Sequence, residues 1–276
     1  MRGNWVNWGD VVVAWEKLTE KGPLVLRNLV APQTQRVRRQ WNREYRSSPP
    51  TDPLTIPYLQ RRWQRKATGN PELDHRRYVA ERYFADHRSL TALSLCSGPG
   101  WNEIAWAQTG HFTHIDGIEL SPALVADARE RARQQGLDTI LRFHAQDACR
   151  PPYPQSSYDI ILAEGALHHL APLERVIPAL AAALAPGGLL VMLEYCGPDR
   201  FQWTDAQLEM ARRALSMIPA ELRVKPSGFL KRRIDRPGRL RMLLTDPSEA
   251  VESSRIRPLL HRFFVPLGMT SSKTSV

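Results

Sequence analysis

The strongest constraint on the fold is an alternation that runs for about a hundred residues. Short apolar runs stand at LSLC (93–96), IDGIEL (115–120), ILRFH (140–144), YDIILA (158–163) and GLLVMLEY (188–195). Their lengths suit buried strands. Between several of them the pattern turns helical. Ser121-Pro122 opens one helix, with Ser as N-cap and Pro at the first helical position; Leu124, Val125, Ala128 and Ala132 mark one face, and Gly136 supplies a stop. Another helix is expected over Pro172 to Ala185, with Pro178 breaking or kinking it. Strands alternating with helices predict a parallel sheet covered on both faces. In such sheets, ligands collect beyond the carboxyl ends of the strands.

That edge carries the turn Ser97-Gly98-Pro99-Gly100. Glycines at 98 and 100 remove side chains, so backbone amides can approach a ligand closely. A dinucleotide fingerprint would place a third small residue three positions after Gly100, where this chain has Glu103. A carboxylate there repels a pyrophosphate and favours a cationic ligand. The Gly-Lys-Ser/Thr ending of a phosphate loop is also missing. Glu119 closes the second run, where it can accept bonds from both hydroxyls of a ribose; helix capping is its structural alternative. Asp147 follows the third run in HAQDA, placed to accept from an adenine amino group beside the Ala148 amide, or to serve as an ordinary loop or N-cap residue.

The chain of 276 residues has room for one large domain with an appendage. Residues 1–56 contain Pro23 and Pro32 and read as a partly irregular extension. Over 57–89, Tyr58, Leu59, Trp63, Tyr78, Val79, Tyr83 and Phe84 are spaced to suit helices with one apolar face, a cap or lid. Residues 90–276 form the main domain, with a substrate-side insertion at about 197–258. Within it, a helix is expected from Thr204 to Ser216. Three widely spaced cysteines suggest neither a disulfide framework nor a zinc site, and no metal site is expected. No transmembrane run or secretory signal is legible, which favours a cytoplasmic setting. Net charge is +10, concentrated in RVRRQWNREYR (36–46), RRWQRK (61–66) and the stretch from Arg223 to Arg241. Such clusters grip nucleic acid, anionic lipid or phosphorylated substrates, or simply form solvated helix faces. Oligomeric state is left open.

The ordered series LSLCSGPG, GIELS, QDA, YDIILAEGALHHL and LAPGGLLVMLEY resembles the successive motifs of class I S-adenosylmethionine-dependent methyltransferases over about 90–196. The resemblance implies an α/β, Rossmann-like, doubly wound seven-stranded sheet with its last strand antiparallel, preceded here by an N-terminal helical extension. HRFFVPLGM (261–269) can supply one of the two late strands, and SSKTSV is a poor second, so the last strand is a candidate for absence. The resemblance implies S-adenosyl-L-methionine as cofactor. Ser97, Gly98 and Gly100 would lie beside its methionine part, Glu119 with Leu120 beside the ribose, and Asp147 with Ala148 beside adenine. Glu164 would border the sulfonium and the acceptor. Family members commonly carry an acidic residue and a first glycine where this chain has Ser94 and Cys96.

Methyl transfer needs acceptor and methyl aligned and water excluded. For a hydroxyl acceptor, His168 and His169 in GALHHL are the candidate bases, with Glu164 a further one. Tyr195, Arg200, Trp203 and Glu249 are candidates to shape the acceptor pocket, the aromatic pair having core packing as its alternative. The leading expectation is a methyltransferase acting on a small molecule or glycan. The alternatives are an RNA or DNA methyltransferase using the basic segments, and an inactive partner protein that keeps only the fold.

Overall fold

The computed structural model describes residues 5–11, 15, 32–47, 55–225 and 228–268. Pro23 and the SSKTSV tail lie outside them. Three helices lead in: α1 (Gln33–Ser47), α2 (Pro57–Thr68) and α3 (His75–Tyr83). The alternating region follows as β1 (Leu90–Leu95), α4 (Trp101–Ala107), β2 (Phe112–Glu119), α5 (Pro122–Gln134), β3 (Leu141–Ala145), β4 (Tyr158–Glu164), a 3₁₀ turn (Leu167–His169), α6 (Leu173–Ala183) and β5 (Leu184–Leu193). Beyond it lie α7 (Asp205–Ser216), α8 (Arg239–Thr245) and α9 (Ser253–Phe263).

All five strands are parallel, in the order β3-β2-β1-β4-β5. This is an α/β Rossmann-like sheet. Side chains alternate along it. Ala92, Ile160 and Leu162 enter one core with Trp106, Val125, Ala128 and Phe143, under α4 and α5. Leu93, Leu95, Ile161 and Ala163 enter the other with Val176, Ile177, Leu180, Ile256 and Leu259, under α6 and α9. Each large side chain so buried contributes about 1.5–3 kcal/mol, so the sheet is held equally from both faces. Chain order reverses between β1 and β4, and in open α/β sheets such a switch point is where ligands bind, beyond the carboxyl ends of the strands.

Local signals act as their chemistry dictates. The Ser121 hydroxyl accepts from the Leu124 amide and starts α5. Thr204 and Gln207 form a reciprocal capping box on α7. Pro178 lies inside α6 without ending it, because Val176, Ile177 and Leu180 are fully buried around it and hold the helix.

Two expectations are corrected. Seven strands are not found: among the described residues the sheet has five. The segment HRFF ends α9, and 264–268 is irregular, so no strand forms there. Helical spacing wins because Ile256 and Leu259 share a buried face against the α6 core. Tyr58, read as part of an apolar face, is exposed.

The N-terminal residues pack on the insertion. Asp10 accepts from the Gly238 amide and pairs with Arg241, Asn7 donates to the Arg236 carbonyl, and the Leu240 amide donates to the Trp5 carbonyl. No helix of the described residues is long and apolar enough to cross a membrane.

Candidate active site

After β1 the chain turns through Cys96, Gly98 and Gly100, all in the left-handed region (φ 51°, 53° and 84°). The glycines do different work. A Cβ on Gly100 would sit 2.9 Å from Phe143 and 3.0 Å from Ala128, so this glycine lets the turn pack on α5 and β3. A Cβ on Gly98 would meet nothing within 4 Å, so this one leaves open space at the edge. Cys96 bears the backbone cost of a side chain in that region, on the order of 1–3 kcal/mol. The Ser97 hydroxyl is buried with no hydrogen-bond partner.

Glu119, at the end of β2, reaches across to this turn. Its Oε2 accepts from the Gly98 amide at 3.1 Å and its Oε1 from the Ser121 amide at 2.8 Å. Burial raises its pKa, and these backbone bonds work against that rise. A carboxylate has about four lone-pair positions, so further acceptor capacity remains. Leu120 follows it, half-buried.

Asp147 makes the contacts of the loop role that was its alternative. Its Oδ1 accepts from the Cys149 amide at 2.9 Å and its Oδ2 pairs with Arg150 at 3.2 Å, which makes it the organiser of its own turn. Ala148 is buried, and its carbonyl accepts from the Tyr153 hydroxyl.

Glu164 ends β4 and is held by the start of α3. His75 Nε2 lies 2.5 Å from Oε1, and Arg76 donates to Oε2 at 2.9 Å and to Asn102 at 2.6 Å. Burial alone would raise the Glu164 pKa, but His75 and the Arg76 charge outweigh it and hold it low. A carboxylate so held is a poor proton acceptor, and in this structure Glu164 is the ion-pair partner of His75 and Arg76. Asp74 caps α3 through the Arg76 amide and so sets both side chains. Sequence reasoning missed His75, Arg76 and Asn102; the signal was the run Asp74-His75-Arg76 at a helix start.

Beneath the turn, Ser94 Oγ donates to Glu103 Oε1 at 2.5 Å. Glu103 is 1% exposed, its Oε2 is buried without a partner, and burial pushes its pKa up to about 7. Glu103 thus brings a carboxylate from α4 to Ser94 on β1.

The histidines follow β4. Glu194, just past β5, accepts from the Ala166 amide at 2.5 Å and the Leu167 amide at 2.6 Å, and its other oxygen lies 2.7 Å from His168 Nδ1. That bond turns His168 Nε2 toward Glu249, 3.7 Å away. Glu249 also lies 4.0 Å from His169 Nδ1. Burial lowers the pKa of both imidazoles. At His168, the Glu194 bond and the nearby carboxylates reverse this and raise it; at His169, the charge of His168 adds to burial and takes it to about 3. Glu194 was not singled out from sequence, although an acid closing an apolar strand was visible.

The guanidinium of Arg200, a candidate for the acceptor pocket, donates to the Pro247 carbonyl at 2.8 Å and the Glu249 carbonyl at 3.1 Å, pinning the 246–251 turn. Tyr195 meets Phe201 edge-on, and Phe201 stacks on Trp203, so these rings build the insertion's own packing. α1 lies over the edge. The Ser121 hydroxyl donates to Asn42, and Trp41 meets the His169 ring edge-on at 5.0 Å.

Strand order, glycine turn and acidic strand ends define a Rossmann-like methyltransferase fold. The family model described as a methyltransferase domain matches residues 92–188. This segment is similar to the class I S-adenosylmethionine-dependent methyltransferases, whose methyl donor is S-adenosyl-L-methionine. The chain is 30% identical to a demethylmenaquinone methyltransferase from Thermus thermophilus over 39% of its own length and 48% of that protein. It is 31% identical to an ajmaline N-methyltransferase from Rauvolfia serpentina over 30% and 28% of the two chains. A solved geranyl diphosphate C-methyltransferase from Streptomyces coelicolor aligns with a TM-score of 0.43 at 16% identity, covering 68% of this chain and 73% of that one. The chain thus spans about half or less of the curated relatives it matches here.

Proposed function

We propose that this protein transfers a methyl group from S-adenosylmethionine to a small-molecule acceptor, at oxygen or nitrogen. The observation that carries the reading is the placement of two polar assemblies on one sheet edge: Glu119 on the glycine turn, and Glu194 with His168 beyond β4. The residues fit the cofactor. Glu119 retains acceptor capacity for ribose hydroxyls, and Gly98 leaves space beside it. Glu103 is a buried acid with an idle oxygen, suited to an ammonium group, and Arg76 is suited to a carboxylate. The bound cofactor supplies an activated methyl on a sulfonium. The protein's part is to hold the acceptor in line, exclude water and accept a proton. His168, oriented by Glu194 and facing Glu249, is the acceptor-side group, and His169 with Trp41 closes the wall beside it. The names of the relatives, which include an ajmaline N-methyltransferase, favour a small acceptor.

Calorimetry with S-adenosylmethionine and S-adenosylhomocysteine tests the cofactor half. Transfer of labelled methyl into small-molecule fractions of a cell extract tests the acceptor half. No heat with either ligand would end the reading and leave the inactive-partner alternative.

A second reading draws on one observation. A cleft in the insertion of about 310 Å³ is lined by Arg212, Arg223, Arg232 and Arg233 with Leu215 and Ser216. Asp235 pairs with two of these arginines, leaving excess positive charge. This cleft is where an RNA acceptor would be gripped. A steep fall of RNA affinity with salt would favour it, and salt-insensitive or absent binding would remove it.

A further inference from the structure

We propose that His168, His169 and Glu249 form a binding site for one divalent cation of the zinc–cobalt–manganese class. One imidazole nitrogen from each histidine and a Glu249 oxygen all lie within 4.8 Å of one another, and all three side chains are half-buried. In a tetrahedral zinc site, bond lengths near 2.1 Å put neighbouring ligand atoms about 3.4 Å apart. His168 Nε2 and Glu249 Oε1 are at 3.7 Å, and His169 Nδ1 and Glu249 Oε2 at 4.0 Å. Those two distances run to different oxygens of Glu249; for one oxygen with the two nitrogens the separations stay within 4.8 Å, and rotation about the side-chain bonds closes them.

The surroundings are those of a supported ligand set. A metal-binding histidine usually donates its other ring N–H to a carboxylate or a carbonyl. His168 does so through Nδ1 to Glu194, at 2.7 Å, which presents the Nε2 lone pair to the cluster. Glu194 is itself fixed by the Ala166 and Leu167 amides, so the ring cannot turn freely. The strand-end loop and the 246–251 turn are joined by the Val251 amide, which donates to the His168 carbonyl at 3.1 Å. Arg200 holds the same turn from its other side. The ligands therefore come from two segments already tied together, and little order has to be created when an ion arrives.

Charge and ligand type select the ion. Glu194 and Glu249 bring two negative charges, which a divalent cation neutralises. Two imidazoles and one carboxylate suit zinc, cobalt, manganese or ferrous iron, whereas magnesium prefers oxygen ligands. Three protein ligands leave at least one coordination position for water or an acceptor oxygen, as in catalytic sites. The metal site does not depend on the methyl-transfer reading, but it gives that reading an acceptor class: a molecule with a hydroxyl or carboxylate able to coordinate. In the loaded protein His168 Nε2 is a ligand, and the cation would lower the pKa of a coordinated acceptor hydroxyl so that its proton passes to solvent water.

The test uses cobalt(II) as probe on the full chain stripped with chelator. One equivalent is expected to bind, with the intense visible absorption of a four- or five-coordinate site. H168A and E249Q are each expected to abolish the band. E194Q, which keeps all three ligands, is expected to weaken binding about 10–100-fold while retaining it. Absence of the band in the unaltered chain overturns the proposal, whatever the variants do. A band that persists in both H168A and E249Q overturns it as well. Cobalt binding without any heat from S-adenosylmethionine would keep the site and end the methyl-transfer reading; the reverse result would do the opposite.

Discussion

Ser94 on β1 donates to Glu103 on α4 across 2.5 Å, in a part of the molecule almost closed to water. The pair replaces one acidic side chain at the strand end by a hydroxyl and a carboxylate nine residues apart. With burial pushing its pKa up to about 7, Glu103 is shared between neutral and charged forms near neutrality. A cation arriving beside its idle oxygen would settle it in the charged form.

That arrangement has a signature in stability. Glu103 holds its proton more tightly in the folded chain than in the unfolded one, whose value is 4.5. Its contribution is fully present below pH 4.5 and is lost as pH rises through about 7. Glu103→Gln is expected to flatten this slope and to stabilise the ligand-free protein at pH 8 by about 3 kcal/mol, while weakening S-adenosylmethionine. Urea unfolding at pH 5 and pH 8, with calorimetry beside it, reads both. An unchanged pH slope would show that Glu103 is not the titrating group.

Glu119→Ala removes the acceptor for the Gly98 and Ser121 amides together with any bond to the ribose. Cofactor affinity is expected to fall by about 1–3 kcal/mol. Calorimetric titration measures it directly, and an equal affinity would take Glu119 out of the site.

The two turn glycines should part company on substitution. Gly100→Ala drives a Cβ to 2.9 Å from Phe143 and also carries left-handed strain, so a loss on the order of 2–4 kcal/mol is expected. Gly98→Ala carries only the backbone strain, about 1 kcal/mol, because the space around it is open. Its larger effect should be on cofactor binding. Thermal melting with and without S-adenosylhomocysteine separates them; equal melting losses would contradict the assignment.

Glu194→Ala strands the Ala166 and Leu167 amides and frees the His168 ring. Two unmade bonds to a buried charge amount to about 2–5 kcal/mol. Chemical unfolding gives the figure, and a loss below 1 kcal/mol would mean that water replaces the carboxylate there.

The five strands were legible because a strand buried on both faces is a short continuous apolar run: Ala92 and Leu93, neighbours in sequence, enter opposite cores. Glu119 was legible for the same reason, standing at the last position of a strand. His75 and Arg76 were not, because nothing local says that α3 docks on the end of β4. Asp147 was read toward a ligand when the amide two residues on was the nearer partner. The segment after Leu260 carries apolar residues at both periods, and only packing of Ile256 and Leu259 on α6 decides for helix.

Trp41 and Asn42 are neighbours on α1, yet one rests on His169 and the other on Ser121. A rigid rod that leans on both halves of a cleft cannot release one without the other. A change that displaces Trp41 from His169 therefore disturbs the Asn42–Ser121 bond as well.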